Sequence, residues 1–481
     1  MRWSELGISP DDRGNLGAGR VHGEVIGGTP AEVPDPATGE TLAMVSWASA
    51  ADVPAAVQAA SAAMSGWSVT DPRERAAALR AIATDLRAVA EPLGALVCAE
   101  TGKRLEEAVA EVGFSARYFD WFADAATQVR GSLYETPQRR FLVDRRPAGV
   151  VAAVSPWNFP LSIPARKVAP ALAAGCGVVQ KPSELAPLSS LVLTAICERH
   201  VPAGLVSVLV GDGAEITEAL VDHETVRVVS LTGSTRVGRI VAQRCGAELT
   251  RSVLELGGRA PFVVCADADL DVAVSSLLVA KLRNNGESCL AANNVFVHES
   301  VYAELMTRLR ERLAAVVVGD PRSVSTGLGP LIRPEAVTRV RALVEEARDR
   351  GVPVEDFGKI PERGWFAPVS LVEGGAEAGQ AWVSETFGPV LSVASFADED
   401  AVVDEVTGWP LGLGGYIVSQ DPERRVDLAR RLELGIVGVD NGAPNTPEVP
   451  FGGRGGSGFG REGGLSGLLE FTEERTVSIA R

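Results

Sequence analysis

From residue 150 onward, short apolar runs recur between stretches of helical character. This alternation constrains the fold more than any other feature of the sequence. The runs fall at 150–154, 176–180, 205–210, 226–231 and 261–265, and the intervening segments 186–199 and 236–245 read as helices. Strands alternating with helices at this spacing predict βαβ units and a parallel sheet. A second alternating series, from about residue 270 to 440, predicts a second α/β domain. The 481 residues correspond to about three units at roughly 150 residues each. No internal repeat is visible.

Upstream, a short β region precedes helices. Asp71 is placed to cap a helix, Pro72 suits its first position, and Glu74 could close a capping box. Leu79, Ile82, Leu86 and Val89 then form one apolar face. The aromatic-rich residues 113–124 read as a buried helix. FGGRGGSGFGREGG, at 451–464, is too glycine-rich for regular structure and reads as an ordered loop.

The chain carries 62 acidic and 46 basic residues, a net charge of −16. Its only basic clusters are short pairs such as Arg139-Arg140 and Arg145-Arg146, which argues against nucleic-acid binding. No apolar run approaches the roughly 18 residues needed to span a bilayer. The N-terminus, MRWSELGISPDDRG, has charges where a signal peptide needs an apolar core. Cys98, Cys176, Cys197, Cys245, Cys265 and Cys289 form no CxxC pair, and His22, His200, His223 and His298 lie far apart. These features predict a metal-free protein of the reducing cytoplasm that handles small molecules.

Several familiar motifs fail. Gly102-Lys103 is followed by Arg104, so it is no phosphate loop. Phe459 stands where a nucleophile elbow around Ser457 needs its second glycine. Gly211-Asp212-Gly213 lacks the third glycine of the dinucleotide fingerprint. VRVVSLTGSTRV, residues 226–237, reads instead as strand, turn and helix, and such a turn aims backbone N–H groups at a pyrophosphate site. A plain βα turn explains the segment equally well.

Free cysteine is usually a small buried hydrophobe. Cys289 differs in its polar flank of Asn284, Asn285, Glu287 and Ser288, which predicts an accessible residue that could be held as thiolate. Glu255 ends a predicted strand before two glycines, where the ligand crevice of such sheets opens. A surface carboxylate at a turn is the alternative.

Seven segments now stand in order: PWNFP (156–160), KPSE (181–184), LTGST (231–235), LELGG (254–258), NGESC (285–289), ETFGPV (385–390) and PFGG (450–453). In order and spacing they resemble the aldehyde dehydrogenase superfamily over nearly the whole chain, most closely its succinate-semialdehyde branch. The resemblance implies an α/β fold with a Rossmann-type cofactor domain (1–129 and 148–254) and a second α/β catalytic domain (255–448). It also implies a β-hairpin oligomerisation element (130–147 and 465–481). In the hairpin, Tyr134, Phe141 and Val143 alternate with polar residues as a strand should. A homodimer or homotetramer follows, and the two are not separated.

The implied chemistry is NAD(P)-dependent oxidation of an aldehyde to a carboxylic acid. Cys289 would be the nucleophile, the Asn158 amide and the Cys289 N–H the oxyanion hole, and Glu255 the general base, with Glu462 and Lys167 relaying protons. The matched cofactor positions are Trp157, Lys181, Ser183, Glu184, Gly211, Thr232, Gly233, Ser234, Leu256, Glu385 and Phe387. A carboxylate at 184 accepts bonds from a ribose 2′-hydroxyl and repels a 2′-phosphate. That favours NAD and leaves NADP open. Arg166 and Arg283 match positions that clamp a distal carboxylate, and Thr446 matches the hydroxyl that caps it. Succinate semialdehyde is therefore the expected substrate. Other small or aromatic aldehydes, CoA acylation and a non-catalytic NAD-binding role are the alternatives. Ala291 replaces the second cysteine of many relatives, so no redox switch with Cys289 is available.

Overall fold

The computed structural model describes residues 3–11 and 14–481. Met1, Arg2, Asp12 and Arg13, part of the charged N-terminus quoted above, lie outside the described residues. Three of the sheets matter here. The first has eight strands in the order Gly458–Phe459, Arg251–Glu255, Val226–Thr232, Val150–Val154, Gly177–Lys181, Val206–Leu209, Gly19–Val21 and Glu24–Ile26. Its five central strands are parallel, and the flanking strands pair antiparallel. All five central strands except Arg251–Glu255 were marked by apolar runs. Burial on both faces leaves no room for polar alternation in such strands.

The fifth predicted run, 261–265, forms the strand Ala260–Val264 and joins the second sheet instead. That sheet has seven strands, parallel except for its outermost member Val354–Phe357. Only the short link 256–259 separates the two sheets, so Glu255 ends one and Ala260 opens the next. The third sheet is antiparallel, made of Ser132–Glu135, Arg139–Pro147 and Thr472–Ala480. Leu133, Tyr134, Leu142, Val477 and Ile479 on it are exposed.

Local signals hold in part. Asp71 accepts from the Arg73 N–H and Pro72 opens the helix Pro72–Ala88, but Glu74 closes no capping box. The Asp71 carboxylate instead pairs with the Arg73 guanidinium, 2.8 Å away. Leu79, Ile82 and Leu86 are fully buried, and Val89, at the junction with the next helix Ala90–Thr101, is only half-buried. Residues 113–124 lie in the helix Leu105–Ala125, with Tyr118, Phe119 and Phe122 in the core. The glycine-rich loop is ordered, and its Gly458 pairs with Glu255. A side chain at 458 would lie 2.0 Å from the Leu254 carbonyl oxygen, so glycine is required there. No helix among the described residues is long and apolar enough to cross a membrane.

Candidate active site

The C-terminal ends of the first sheet's parallel strands open on one crevice, as doubly wound sheets do. Val154 leads into 156–160, Thr232 into the turn 232–235, and Glu255 into 256–258. Facing them, the helix Leu270–Leu282 delivers the segment carrying Cys289. Asn284 and Asn285 there adopt left-handed φ of 53° and 57°, followed by Gly286 at 77°. Such strain persists only where surroundings fix it. Asn285 Nδ2 donates to the Gly102 and Pro330 carbonyls at 3.0 and 2.8 Å, and its Oδ1 accepts from Gly329 N–H at 2.8 Å. Asn284 Nδ2 donates to the Glu287 carbonyl at 2.9 Å.

Cys289 is half-buried, where the other five cysteines are buried, but its polar flank does not supply that access. Asn284 and Asn285 are buried scaffolding, not a solvated collar. Burial pushes the Cys289 thiol up to about 12, against the opposing pull of Arg166. The resting group is a thiol, and its proton must be removed as it attacks. Gly258 allows the close approach that seats it, since a Cβ there would lie 2.2 Å from the Cys289 carbonyl oxygen.

Two cavities meet at Cys289. The smaller, about 50 Å³, is lined by Arg166, Arg283, Phe159, Tyr416 and Phe451 among others. The larger, about 440 Å³, is lined by Trp157, Asn158, Thr232, Gly233, Ser234, Leu256, Glu385 and Phe387. Cys289 and Ile163 line both.

Glu255 is buried, and neither of its carboxylate oxygens has a hydrogen-bond partner among the described residues. Burial, reinforced by Glu462, raises its pKa well above the ordinary range. Glu462 lies behind it. Its Oε1 is 2.5 Å from Lys167 Nζ and 3.1 Å from Ser230 Oγ, and its Oε2 is 2.5 Å from Arg166 Nε. Burial would raise Glu462, but Arg166 and Lys167 outweigh it and hold the carboxylate ionised. Arg166 is thus already ion-paired, and it also stacks on Phe451 at 4.3 Å. Arg283 has no carboxylate partner among the described residues and sits 5.5 Å from the Phe159 ring centroid. The loop lines the smaller cavity through Gly442, Ala443, Pro444 and Asn445, and Thr446 follows directly after this lining.

Asn158 Nδ2 donates to the Glu287 carbonyl at 3.0 Å, while Asn158 Oδ1 and Thr232 Oγ1 are buried without partners. Ser234 caps the helix Thr235–Ala247, its Oγ accepting from Val237 N–H. A Cβ at Gly257 would lie 2.7 Å from the Glu385 carboxylate. Orphaned polar atoms beside a capped helix N-terminus and a half-buried carboxylate fit the polar end of a dinucleotide. Further along, Lys181 Nζ lies 3.3 Å from Glu184, both next to Gly213. Ser183 Oγ accepts from Leu185 N–H. Gly211 abuts the Ala48 carbonyl, which alone requires a glycine. These four lie outside the larger cavity's lining.

Arg339 was missed by sequence reasoning. It lines the larger cavity and donates to the Glu385 and Phe387 carbonyls at 3.4 and 2.9 Å. It lies on an amphipathic helix, Pro334–Asp349, whose pattern marks no site.

A doubly wound crevice joined at one cysteine to a second, arginine-bearing cavity is the architecture of a dinucleotide-dependent oxidoreductase. The family profile described as "Aldehyde dehydrogenase family" matches residues 25–477, and the chain belongs to that family of NAD(P)-dependent enzymes. It is 37% identical over 452 residues to glutarate-semialdehyde dehydrogenase of Pseudomonas putida, covering 93% of this chain and 94% of the relative. It is 36% identical over 453 residues to the NADP(+) succinate-semialdehyde dehydrogenase of Escherichia coli, with 93% and 94% covered. The crystal structure of succinate-semialdehyde dehydrogenase from Burkholderia pseudomallei superposes with a TM-score of 0.94 at 37% identity, over 98% of this chain and 99% of that one.

Proposed function

We propose that this enzyme oxidises a short aldehyde bearing a distal carboxylate, succinate semialdehyde to succinate, with NAD as the preferred cofactor. One observation carries the reading: Cys289 lines both cavities, and the smaller one holds Arg283 with no carboxylate partner among the described residues. An unpaired, half-buried guanidinium lining the pocket favours an anionic group on the ligand. The glutarate- and succinate-semialdehyde relatives act, by their names, on aldehydes of this class.

Cys289 Sγ bonds the aldehyde carbon as the carbonyl π pair moves onto oxygen, and the thiol proton leaves to solvent in the cavity. One Asn158 Nδ2 hydrogen is held by Glu287, which leaves the second for the oxyanion, alongside the Cys289 N–H. Trp157, Ser234, Glu385 and Phe387 would hold the nicotinamide cofactor, whose chemistry there would be to supply the hydride acceptor. Glu255, buried, unpartnered and of raised pKa, then takes a proton from the water that hydrolyses the thioester. Lys167, Ser230 and Glu462 provide a proton path behind it. Glu184 sits beside Lys181 where it would bond a ribose 2′-hydroxyl and repel a phosphate. The aromatic wall of Phe159, Tyr416 and Phe451 favours a second reading, an aromatic aldehyde.

The exposed apolar residues of the third sheet support a homo-oligomer, and six unpaired cysteines support a reducing, cytoplasmic setting. The test is kcat/KM with NAD and with NADP for succinate semialdehyde, glutarate semialdehyde, benzaldehyde and an uncharged aliphatic aldehyde. The ω-carboxylated substrates should lead by at least about tenfold, since a paired charge is worth more than a methylene. Parity with the neutral aldehydes would overturn the substrate.

A further inference from the structure

Two buried charges lie behind the site and take no part in the chemistry above. Lys103 follows the left-handed Gly102, in the motif that failed as a phosphate loop, and Glu111 lies two turns further on in Leu105–Ala125. Their side chains form an ion pair, 1% and 3% exposed. Lys103 Nζ also donates to the main-chain carbonyl of Asn158 at 2.8 Å and lies 4.3 Å from the Phe159 ring centroid. Glu111 Oε1 accepts from the N–H groups of Leu161 and Ser162 at 3.1 and 3.0 Å. Those are the first groups of the helix Ser162–Ala174, which carries Arg166 and Lys167 and has no side-chain cap of its own.

We infer that Lys103 and Glu111 are a positioning pair that aims the Asn158 amide at the reacting oxygen. The pair holds the turn 158–162 at both ends, Lys103 through the carbonyl of Asn158 and Glu111 through the N–H groups two and three peptides later. A buried ion pair is weak evidence for stability, because apolar replacements of similar volume often serve as well. Here every bond from the pair outside itself goes to this one turn, so its effect falls on geometry. Oxyanion donors act only when they are held at the right distance, which makes small displacements costly in rate. The same segment reaches the Cys289 loop. Glu107 Oε2 accepts from Asn284 N–H at 3.0 Å, and the Gly102 carbonyl accepts from Asn285. Both halves of the oxyanion hole therefore hang on residues 102–111.

The inference rests on the proposed oxyanion role of Asn158, and a double-mutant cycle separates the two. Lys103→Met should lower kcat about 10- to 100-fold with the KM for NAD little changed, while Asn158→Ala alone should lower kcat about 100- to 1,000-fold. If Lys103 acts through Asn158, adding Lys103→Met to Asn158→Ala should cost less than about twofold more. Full additivity of the two losses would overturn the positioning role. An Asn158→Ala enzyme of normal kcat would instead remove the oxyanion reading beneath it. Should Lys103→Met fail to fold, Lys103→Met/Glu111→Leu replaces both charges and leaves neither unpaired. That variant should still fold, with a melting midpoint lowered by the lost cap on Leu161 and Ser162, and show the same kcat loss. Normal kcat in it would equally overturn the inference.

Discussion

Arg166 Nε lies 2.5 Å from Glu462 Oε2, in a buried ion pair that a substrate would have to break to use that arginine fully. The two arginines of the smaller cavity are thus unequal, although their sequence contexts suggest a matched clamp. Arg283→Ala should lower kcat/KM for succinate semialdehyde about 100-fold, roughly 3 kcal/mol, and leave an uncharged aldehyde within about threefold. Arg166→Ala should lower both substrates and the melting temperature, because it removes one of the two cations, each 2.5 Å away, that hold the buried Glu462 carboxylate. Substrate-selective loss in Arg166→Ala, with none in Arg283→Ala, would reverse the assignment.

Glu184 faces Lys181 at the end of the strand Gly177–Lys181. Glu184→Ser removes the charge that would repel a 2′-phosphate. The ratio of kcat/KM for NADP over NAD should rise by about tenfold or more. An unchanged ratio would place the ribose elsewhere.

Burial pushes Glu385 up to about 7, against the Gly258 N–H, Arg339 and Lys281, which favour its ionised form. A carboxylate that holds the nicotinamide ribose accepts hydrogen bonds best when ionised. Cofactor affinity, measured by quenching of tryptophan fluorescence, should therefore weaken as pH falls through about 7. In Glu385→Gln the affinity should be lower at high pH and flat across that range. The same pH slope in the variant would assign the titration to another group.

These sites were legible to different depths, and the reasons are physical. Strands such as Val150–Val154 could be read because burial on both faces demands an unbroken apolar run. Cys289, Asn158 and Glu255 stood out because whole motifs surround them. The burial of Asn284 and Asn285 was not legible, since nothing local distinguishes an asparagine that braces a left-handed turn from one in water. Which residue of the loop 440–450 meets the cavity was not legible, because a loop without periodicity gives no register. Arg339 and the Lys103–Glu111 pair depend on contacts between segments far apart in sequence, which no local pattern records.

Leu133, Tyr134, Leu142, Val477 and Ile479 leave apolar surface on the third sheet. An exposed edge of this kind is normally covered. Leu133→Asp/Ile479→Asp should reduce the mass measured by light scattering to a smaller assembly while the melting of the chain's core persists. An unchanged mass would exclude this sheet as the interface.

In the proposed mechanism Cys289 carries the acyl group and Glu255 frees it. Intact-protein mass spectrometry of Glu255→Gln, mixed with NAD and excess succinate semialdehyde, tests it most directly. The account predicts a burst of NADH close to one per site and a stable adduct of one succinyl group, mapped to Cys289 and absent from Cys289→Ala/Glu255→Gln. Steady turnover with no adduct, or an adduct on another residue, would contradict it.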